Sequence, residues 1–152
     1  MTDLIHELVA ARAETAGDQP ALVFREVSLS YAQLLTTIQQ VSNGLLAAGV
    51  KAGERVAIYL PKQIETVAAL FGSSYAGACL VPVNPLLKPR QVSFILEHCQ
   101  ASVLITSAQR LHMLADEIGH WPHIHTLIVV DAFTSQTEQL IRSLPGIRPR
   151  SR

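Results

Sequence analysis

The fold is decided by one stretch: Arg55-Val-Ala-Ile-Tyr-Leu-Pro61, then a segment with helical spacing of apolar residues, then Cys79-Leu-Val-Pro-Val-Asn-Pro85. A strand, an amphipathic helix and a second strand joined by short loops form a βαβ unit. Strands that are apolar along their whole length are typical of a parallel sheet covered on both faces. We therefore expect an α/β protein built from parallel βαβ units.

The same alternation continues toward the C-terminus. Pro89 suits the first turn of a helix, and strands are predicted over 102–106 and 126–130. Between them, Ser107 is expected to cap a helix that ends at Gly119 and buries Leu111, Leu114 and Ile118. Crossovers between parallel strands are almost always right-handed, so we expect a doubly wound sheet.

Upstream of the sheet, the sequence predicts a helix and a short β-hairpin. Thr2 or Asp3 is expected to cap the first helix. The apolar positions predicted to share its inner face are Leu4, Ile5, Leu8 and Val9. Strands over 20–24 and 27–29 then form the hairpin.

A second, longer helix follows the hairpin. Ser30 and Gln33 have the spacing of a capping box, and Gly49 can adopt the left-handed backbone that ends a helix. The positions expected to face inward are Leu34, Ile38, Val41, Leu45 and Ala48.

The C-terminal end differs in composition from the rest. A short helix is predicted from Ser135, with Glu138 completing a second capping box. Four arginines then occur without an acidic residue among them: Arg142, Arg148, Arg150 and Arg152. We expect a disordered tail. The chain therefore divides into an α/β domain over 1–133 and a helix with an Arg-rich tail over 134–152.

Composition supports a core but supplies little solvating surface. Of 152 residues, 49% are hydrophobic and 16% charged, and the mean hydropathy is +0.27. Lys plus Arg and Asp plus Glu each number 12, so no general attraction to nucleic acid or anionic membrane is expected. No transmembrane segment or signal peptide is predicted. Cys79 and Cys99 are expected to be buried, reduced thiols of a cytosolic protein.

Two glycine-containing segments resemble catalytic motifs but lack their key residues. Gly44-Leu-Leu-Ala-Ala-Gly49-Val-Lys51 lacks the Lys directly after the second Gly that a phosphate loop needs. Gly72-Ser-Ser-Tyr-Ala-Gly77 has Ala76 where a nucleophile elbow needs Gly. We interpret its small residues as letting a helix approach the sheet closely. No dinucleotide-binding Gly-x-Gly-x-x-Gly occurs.

His120, His123 and His125 are the one group that suggests a metal site. Zinc sites need further ligands and supporting hydrogen bonds, and no Cys lies nearby. We expect these rings to be polar side chains of a loop that enters a strand, and no metal site. The remaining histidines are expected on helix surfaces: His6, His98 and His112.

Carboxylates are scattered, and none are paired for acid–base catalysis. Solvent-facing roles are expected for Glu54, Glu65, Glu97, Asp116 and Glu117. Asp131 follows a predicted strand, at the edge where ligands bind in such sheets, but a turn-forming role is favoured.

Several segments together resemble the AMP-forming acyl-CoA synthetases, the adenylate-forming ligases, over about 4–130. They are Pro20-Ala-Leu, Leu29-Ser-Tyr31-Ala-Gln-Leu34, Asn43-Gly-Leu, Gly49-Val-Lys-Ala-Gly53-Glu-Arg-Val-Ala-Ile-Tyr-Leu-Pro61, Ala76-Gly-Ala78 and Val81-Pro-Val-Asn-Pro85. The segments 61–71 and 84–89 are most similar to bacterial ligases associated with exosortase A systems. Lys62 stands where many relatives carry Asn.

The resemblance implies an acid–thiol ligase. In such families a carboxylate attacks the α-phosphate of Mg-ATP, which gives an acyl-adenylate and pyrophosphate, and the thiol of coenzyme A then displaces AMP. A Ser/Thr/Gly-rich loop ending in Lys, an Asp for the ribose and a Lys in a C-terminal domain serve this chemistry. No segment here matches those motifs, so the resemblance transfers no catalytic or cofactor-binding residue.

We therefore expect a partial N-terminal domain over 1–133 that is inactive alone and binds no ATP, Mg or coenzyme A by itself. The strand over 126–130 would leave an open sheet edge, so a marginally stable, self-associating chain is expected. One alternative is a non-catalytic interaction module, or half of a split ligase completed by a second chain. Another is an unrelated small nucleotide-binding enzyme, which the missing phosphate loop disfavours.

Overall fold

The structure is a computed structural model that describes residues 3–131 and 134–143. Its helices are α1 (Ile5–Ala16), α2 (Tyr31–Ala47), α3 (Ile64–Tyr75), α4 (Pro89–His98), α5 (Ala108–Met113) and α6 (Ser135–Arg142). Its strands are β1 (Pro20–Phe24), β2 (Val27–Ser30), β3 (Arg55–Tyr59), β4 (Cys79–Pro82), β5 (Val103–Thr106) and β6 (Thr126–Val129). The chain forms two compact units. The first unit is Met1–Gly53 with Lys62–Cys79, and the second unit is Glu54–Pro61 with Leu80–Arg152.

In the first unit, the predicted hairpin and the second helix are confirmed. Strands β1 and β2 pair antiparallel, with Phe24 opposite Val27. The backbone N–H of Ser30 donates to Gln33 Oε1 at 2.9 Å, and the N–H of Gln33 donates to Ser30 Oγ at 3.2 Å. Gly49 ends the helix with a φ of 87°. A side-chain capping box therefore sets the start of α2, and the backbone conformation of a glycine sets its end.

Replacing Ser30 with alanine is expected to lower the free energy of unfolding by about 1 kcal/mol, because the N–H of Gln33 loses its acceptor. Urea unfolding followed by circular dichroism measures this. Ser28→Ala on the exposed face of β2 is the matched control and should stay within about 0.5 kcal/mol of the wild type. Equal losses in the two variants would contradict a capping role.

The first helix differs from the prediction at its cap and on its apolar face. Leu4 occupies the cap position, and the Glu7 carboxylate accepts the N–H groups of Asp3 and Leu4 at 2.8 and 3.3 Å. Thr2 lies outside the described residues. Of the predicted inner face, Val9 is buried, whereas Leu4, Ile5 and Leu8 are 50%, 41% and 60% exposed. Helical periodicity identified this stripe, but no neighbouring element in this unit covers most of it.

Gly72 allows close packing of α3 against α2 in the first unit. An ideal Cβ on Gly72 would lie 2.6 Å from Val41 Cγ1 and 3.2 Å from the carbonyl oxygen of Ile38. The expectation that this small residue serves an approach to the sheet is therefore wrong for Gly72, which faces α2. Gly77 follows α3 with a φ of 76°, the left-handed backbone conformation that commonly ends a helix.

The second unit contains a four-stranded sheet in the order β4-β3-β5-β6. Strands β3 and β5 pair in parallel with Val56 beside Val103, and β5 pairs in parallel with β6 with Val103 beside Thr126. The predicted parallel α/β fold is confirmed. Within the described ranges, β6 is an edge strand, as expected.

Two helices of this unit depart from their predicted form. The helix capped by Ser107 stops at Met113, where the N–H of Leu114 is shared between the carbonyls of Arg110 and Leu111. A 3₁₀ turn follows over Ile118–His120. The three inward residues, Leu111, Leu114 and Ile118, are nevertheless buried.

The last helix begins at Ser135, as predicted, but the predicted capping box of Ser135 and Glu138 is not formed. Thr134 is its cap, since Thr134 Oγ1 accepts the N–H of Thr137 at 3.2 Å. Glu138 is paired instead with Arg142 on the next turn. The arginines of the predicted tail at 148, 150 and 152 lie outside the described residues.

The cysteines do not form a disulfide, but the expectation of two buried thiols is wrong. Cys79 is exposed and Cys99 is half-buried. Cys79 begins β4, which is an edge strand among the residues the structure describes and is partly exposed along its length.

Within 3–131 and 134–143, the structure contains no helix both long and apolar enough to span a bilayer.

Candidate functional site

The carboxyl ends of β3 and β5 meet at Tyr59 and Thr106, which lie side by side in the parallel register. Both residues have 0% exposure. Thr106 Oγ1 donates to the carbonyl oxygen of Tyr59 at 2.8 Å. The Thr106 hydroxyl therefore forms a hydrogen bond that joins β5 to β3.

Arg110 and Tyr59 also hold a loop, residues 83–88, which we call the edge loop. The guanidinium carbon of Arg110 lies 4.6 Å from the centre of the Tyr59 ring, a cation–π distance. Arg110 Nη1 donates to the Pro85 carbonyl at 2.8 Å, and the Tyr59 hydroxyl donates to the Leu87 carbonyl at 3.1 Å. Sequence reasoning missed both residues, although a tyrosine ending an aliphatic strand was a usable signal.

The Asp131 side chain is hydrogen-bonded to a residue that is distant in the sequence, not to its own turn. Its Oδ1 accepts the backbone N–H of Ala108 at 2.7 Å, so the carboxylate that follows β6 holds the start of α5. This contact satisfies an N–H group that the helix itself leaves without an acceptor. The structure therefore gives Asp131 a local stabilising role at the carboxyl edge.

The histidine-containing loop is fixed by its apolar residues. Trp121 and Ile124 are buried in the core of the second unit, whereas His120, His123 and His125 are exposed. The backbone alternation thus points the rings outward.

Two of these rings have carboxylate neighbours. His125 Nε2 lies 3.3 Å from Glu54 Oε1, while its Nδ1 lies 2.8 Å from Thr126 Oγ1. His120 Nδ1 lies 4.0 Å from Glu117 Oε2. The expectation that Glu54 and Glu117 face solvent is only partly met, because both side chains are half-buried. The other three scattered carboxylates are exposed: Glu65, Glu97 and Asp116.

The remaining histidines have mixed environments. His98 and His112 are exposed, as expected for helix-surface residues. His6 is half-buried, with Nδ1 2.9 Å from Ser74 Oγ and its ring centre 4.8 Å from that of Tyr75. Its expected surface role is wrong, because α1 places this side toward α3 within the first unit.

The described residues do not fit the magnesium ion that the resemblance implies. Magnesium takes an octahedron of oxygen ligands, usually with carboxylates and substrate phosphates among them. In the described ranges, no group of three or more His, Cys, Asp or Glu side chains is arranged to hold a metal. Asp131 Oδ1 already accepts the N–H of Ala108. No reaction step through magnesium is therefore derived.

Most of the chain is similar in sequence to known proteins. The family model described as AMP-binding enzyme matches residues 9–149. The chain is 31% identical over 118 residues to tyrocidine synthase 3 of Brevibacillus parabrevis, an alignment covering 78% of this chain and 2% of that protein. It is 36% identical over 102 residues to crotonobetaine/carnitine–CoA ligase of Salmonella paratyphi A, covering 64% of this chain and 20% of the ligase.

A solved structure shares the fold. The anthranilate CoA ligase AuaEII, in complex with anthranoyl-AMP, superposes with a TM-score of 0.80 at 26% identity, covering 97% of this chain and 28% of that one. The chain thus spans a fifth or less of the curated relatives above and about a quarter of this ligase. Because the family model covers most of its length, the chain belongs to the AMP-binding enzyme family.

Proposed function

We propose that this chain supplies the N-terminal scaffold of an ATP-dependent, AMP-forming acyl-CoA ligase and is inactive alone. The observation that carries the proposal is the whole-chain superposition on a CoA ligase of which it covers 28%. The carboxyl edge of the sheet supports the proposed inactivity. Its polar side chains are hydrogen-bonded to backbone groups of this chain, as seen for Tyr59, Thr106 and Asp131. We assign the partial domain to 1–133, and a helix and tail to 134–152.

In the complete ligase, a carboxylate oxygen would attack the α-phosphorus of ATP and release pyrophosphate. The thiolate of coenzyme A would then attack the acyl carbonyl of the adenylate and release AMP. The partners of the whole enzyme would be the acid, ATP and coenzyme A, in the bacterial cytoplasm. The segments 61–71 and 84–89 favour a ligase of the exosortase-associated type.

Carboxylate-dependent ATP–pyrophosphate exchange tests the inactivity of the chain. The purified 152-residue protein is expected to give no exchange above buffer with fatty, aromatic or amino acids, because its sequence contains no Ser/Thr/Gly-rich loop ending in Lys. Full-length crotonobetaine/carnitine–CoA ligase serves as the positive control. Exchange by the chain alone that requires an added acid would refute the proposal.

A fusion tests the scaffold role directly. Here this chain replaces the matching N-terminal part of the crotonobetaine/carnitine–CoA ligase. We expect exchange from the fusion and none from the ligase lacking that part. A folded fusion without exchange would count against a scaffold role.

The second candidate is half of a split ligase, or a non-catalytic interaction module. It is favoured by β6, which is an edge strand in the part of the chain that the structure describes. The DNA just downstream discriminates the two. A continuation encoding the phosphate loop favours a ligase scaffold, whereas a clean gene end beside a partner gene favours a split or interacting chain.

A further inference from the structure

The strand order of the second unit contains a reversal. Strand β4 lies on one side of β3, and β5, which follows β4 in the chain, lies on the other side. In open α/β sheets, such a reversal creates a crevice at the carboxyl ends of the strands, and ligands bind there. In this chain the two residues at that point are Tyr59 and Thr106, and both have 0% exposure. Other parts of the described chain therefore cover both residues.

Tyr59 is covered by the Arg110 side chain and is hydrogen-bonded to the edge loop. The guanidinium covers the Tyr59 ring at 4.6 Å and donates to the Pro85 carbonyl at 2.8 Å. The Tyr59 hydroxyl donates to the Leu87 carbonyl at 3.1 Å. Two side chains from the sheet and α5 thus hold two carbonyls of one loop.

The edge loop is also braced from within. Asn84 Oδ1 accepts the N–H of Leu86 at 2.9 Å, and the Asn84 carbonyl accepts the N–H of Leu87 at 3.1 Å. Leu86 at its tip is 88% exposed, so apolar burial of this side chain does not hold the loop. Val83, which is 4% exposed, and Leu87 pack in the core of the second unit. Between them, hydrogen bonds hold the loop, and Arg110 and Tyr59 bind its Pro85 and Leu87 carbonyls.

We propose that Tyr59 and Arg110 form a clamp that fixes the edge loop in one conformation and closes the crevice between β3 and β5 to ligands. The inference goes beyond the proposed ligase scaffold, because it holds whether or not the chain serves a ligase. Both are positioning residues. The guanidinium is required, because it is planar and can stack on a ring while donating sideways, which a lysine ammonium cannot do.

Amide hydrogen exchange of the full chain tests the clamp. In Arg110→Met and Arg110→Lys, exchange at the Leu86 and Leu87 amides is expected to rise about tenfold or more, with a smaller rise in Tyr59→Phe. Amides of α2 and of β5 should keep their wild-type rates. Arg90→Met, at an exposed position on α4, is the matched control and should leave the edge loop unchanged.

Two exchange results would overturn the clamp. One is unchanged exchange at Leu86 and Leu87 in all three variants. The other is an equal rise over the whole chain, which would show that Arg110 and Tyr59 act on global stability alone.

Thiol labelling tests closure of the crevice. In a chain carrying Cys79→Ser, Cys99→Ala and Thr106→Cys, labelling by a maleimide is expected to be slow, because position 106 is buried. Adding Arg110→Ala should speed it about tenfold or more. Adding Arg90→Ala instead should not. Equal labelling with and without Arg110 would refute closure by this side chain.

Discussion

Gly72→Ala is expected to lower the free energy of unfolding by about 2 kcal/mol, within the range for overpacking a tight contact. The added methyl would lie 2.6 Å from Val41 Cγ1 and 2.8 Å from Val41 Cβ. Neither atom is the far end of a flexible side chain, since a β-branched residue in a helix has one favoured rotamer. The helices α2 and α3 must therefore move apart, and this outweighs the gain in helix propensity of about 1 kcal/mol.

Gly44→Ala is the matched control for this change. It adds the same methyl group to a helical glycine, but a Cβ at position 44 would meet no atom within 4 Å. We expect it to raise the free energy of unfolding by up to about 1 kcal/mol. Chemical unfolding of both variants gives the two values with opposite signs. Stabilisation by Gly72→Ala would show that α2 and α3 are not in close contact at this point.

Trp121→Ala is expected to cost about 3–5 kcal/mol of unfolding free energy, the range for removing a large buried aromatic side chain. Trp121 is 7% exposed and packs in the core cluster of the second unit. Its Nε1 also donates to Ser93 Oγ at 2.9 Å, which joins the histidine-containing loop to α4. Loss of the indole therefore removes both the core contact and the hydrogen bond that fix this loop.

Two companion variants separate these contributions. Ser93→Ala keeps the indole but leaves its N–H without an acceptor, so a cost of about 1–3 kcal/mol is expected. His123→Ala, in the same loop but exposed, should change stability by no more than about 0.5 kcal/mol. A cost below about 1 kcal/mol for Trp121→Ala would contradict the burial of this ring.

The elements of the fold could be predicted because their signals are local. The capping pair Ser30 and Gln33, the helix stop at Gly49 and the cap at Ser107 each depend on residues within a few positions. Apolar strands likewise predict β5 and β6 to within one residue. The errors at Leu4 and Thr134 are also local. In both, the observed cap lies within two residues of the predicted one.

Burial and site geometry could not be predicted in the same way. Cys79 is exposed because the strand order puts β4 at an edge, and no local pattern contains that order. His123 and His125 belong to the loop that enters β6, as predicted, whereas His120 is the last residue of the 3₁₀ turn. Their outward direction, however, follows from the burial of Trp121 and Ile124.

By itself, the sequence determined the α/β class, the parallel strands and the absence of a phosphate-loop motif from these 152 residues. The tertiary structure decided that Gly72 faces Val41, that Asp131 holds the start of α5, and that Arg110 stacks on Tyr59. The physical reason is the range of the interactions. Backbone propensity and capping act between neighbours in the chain, whereas packing and long side-chain hydrogen bonds join residues that only the strand order brings together.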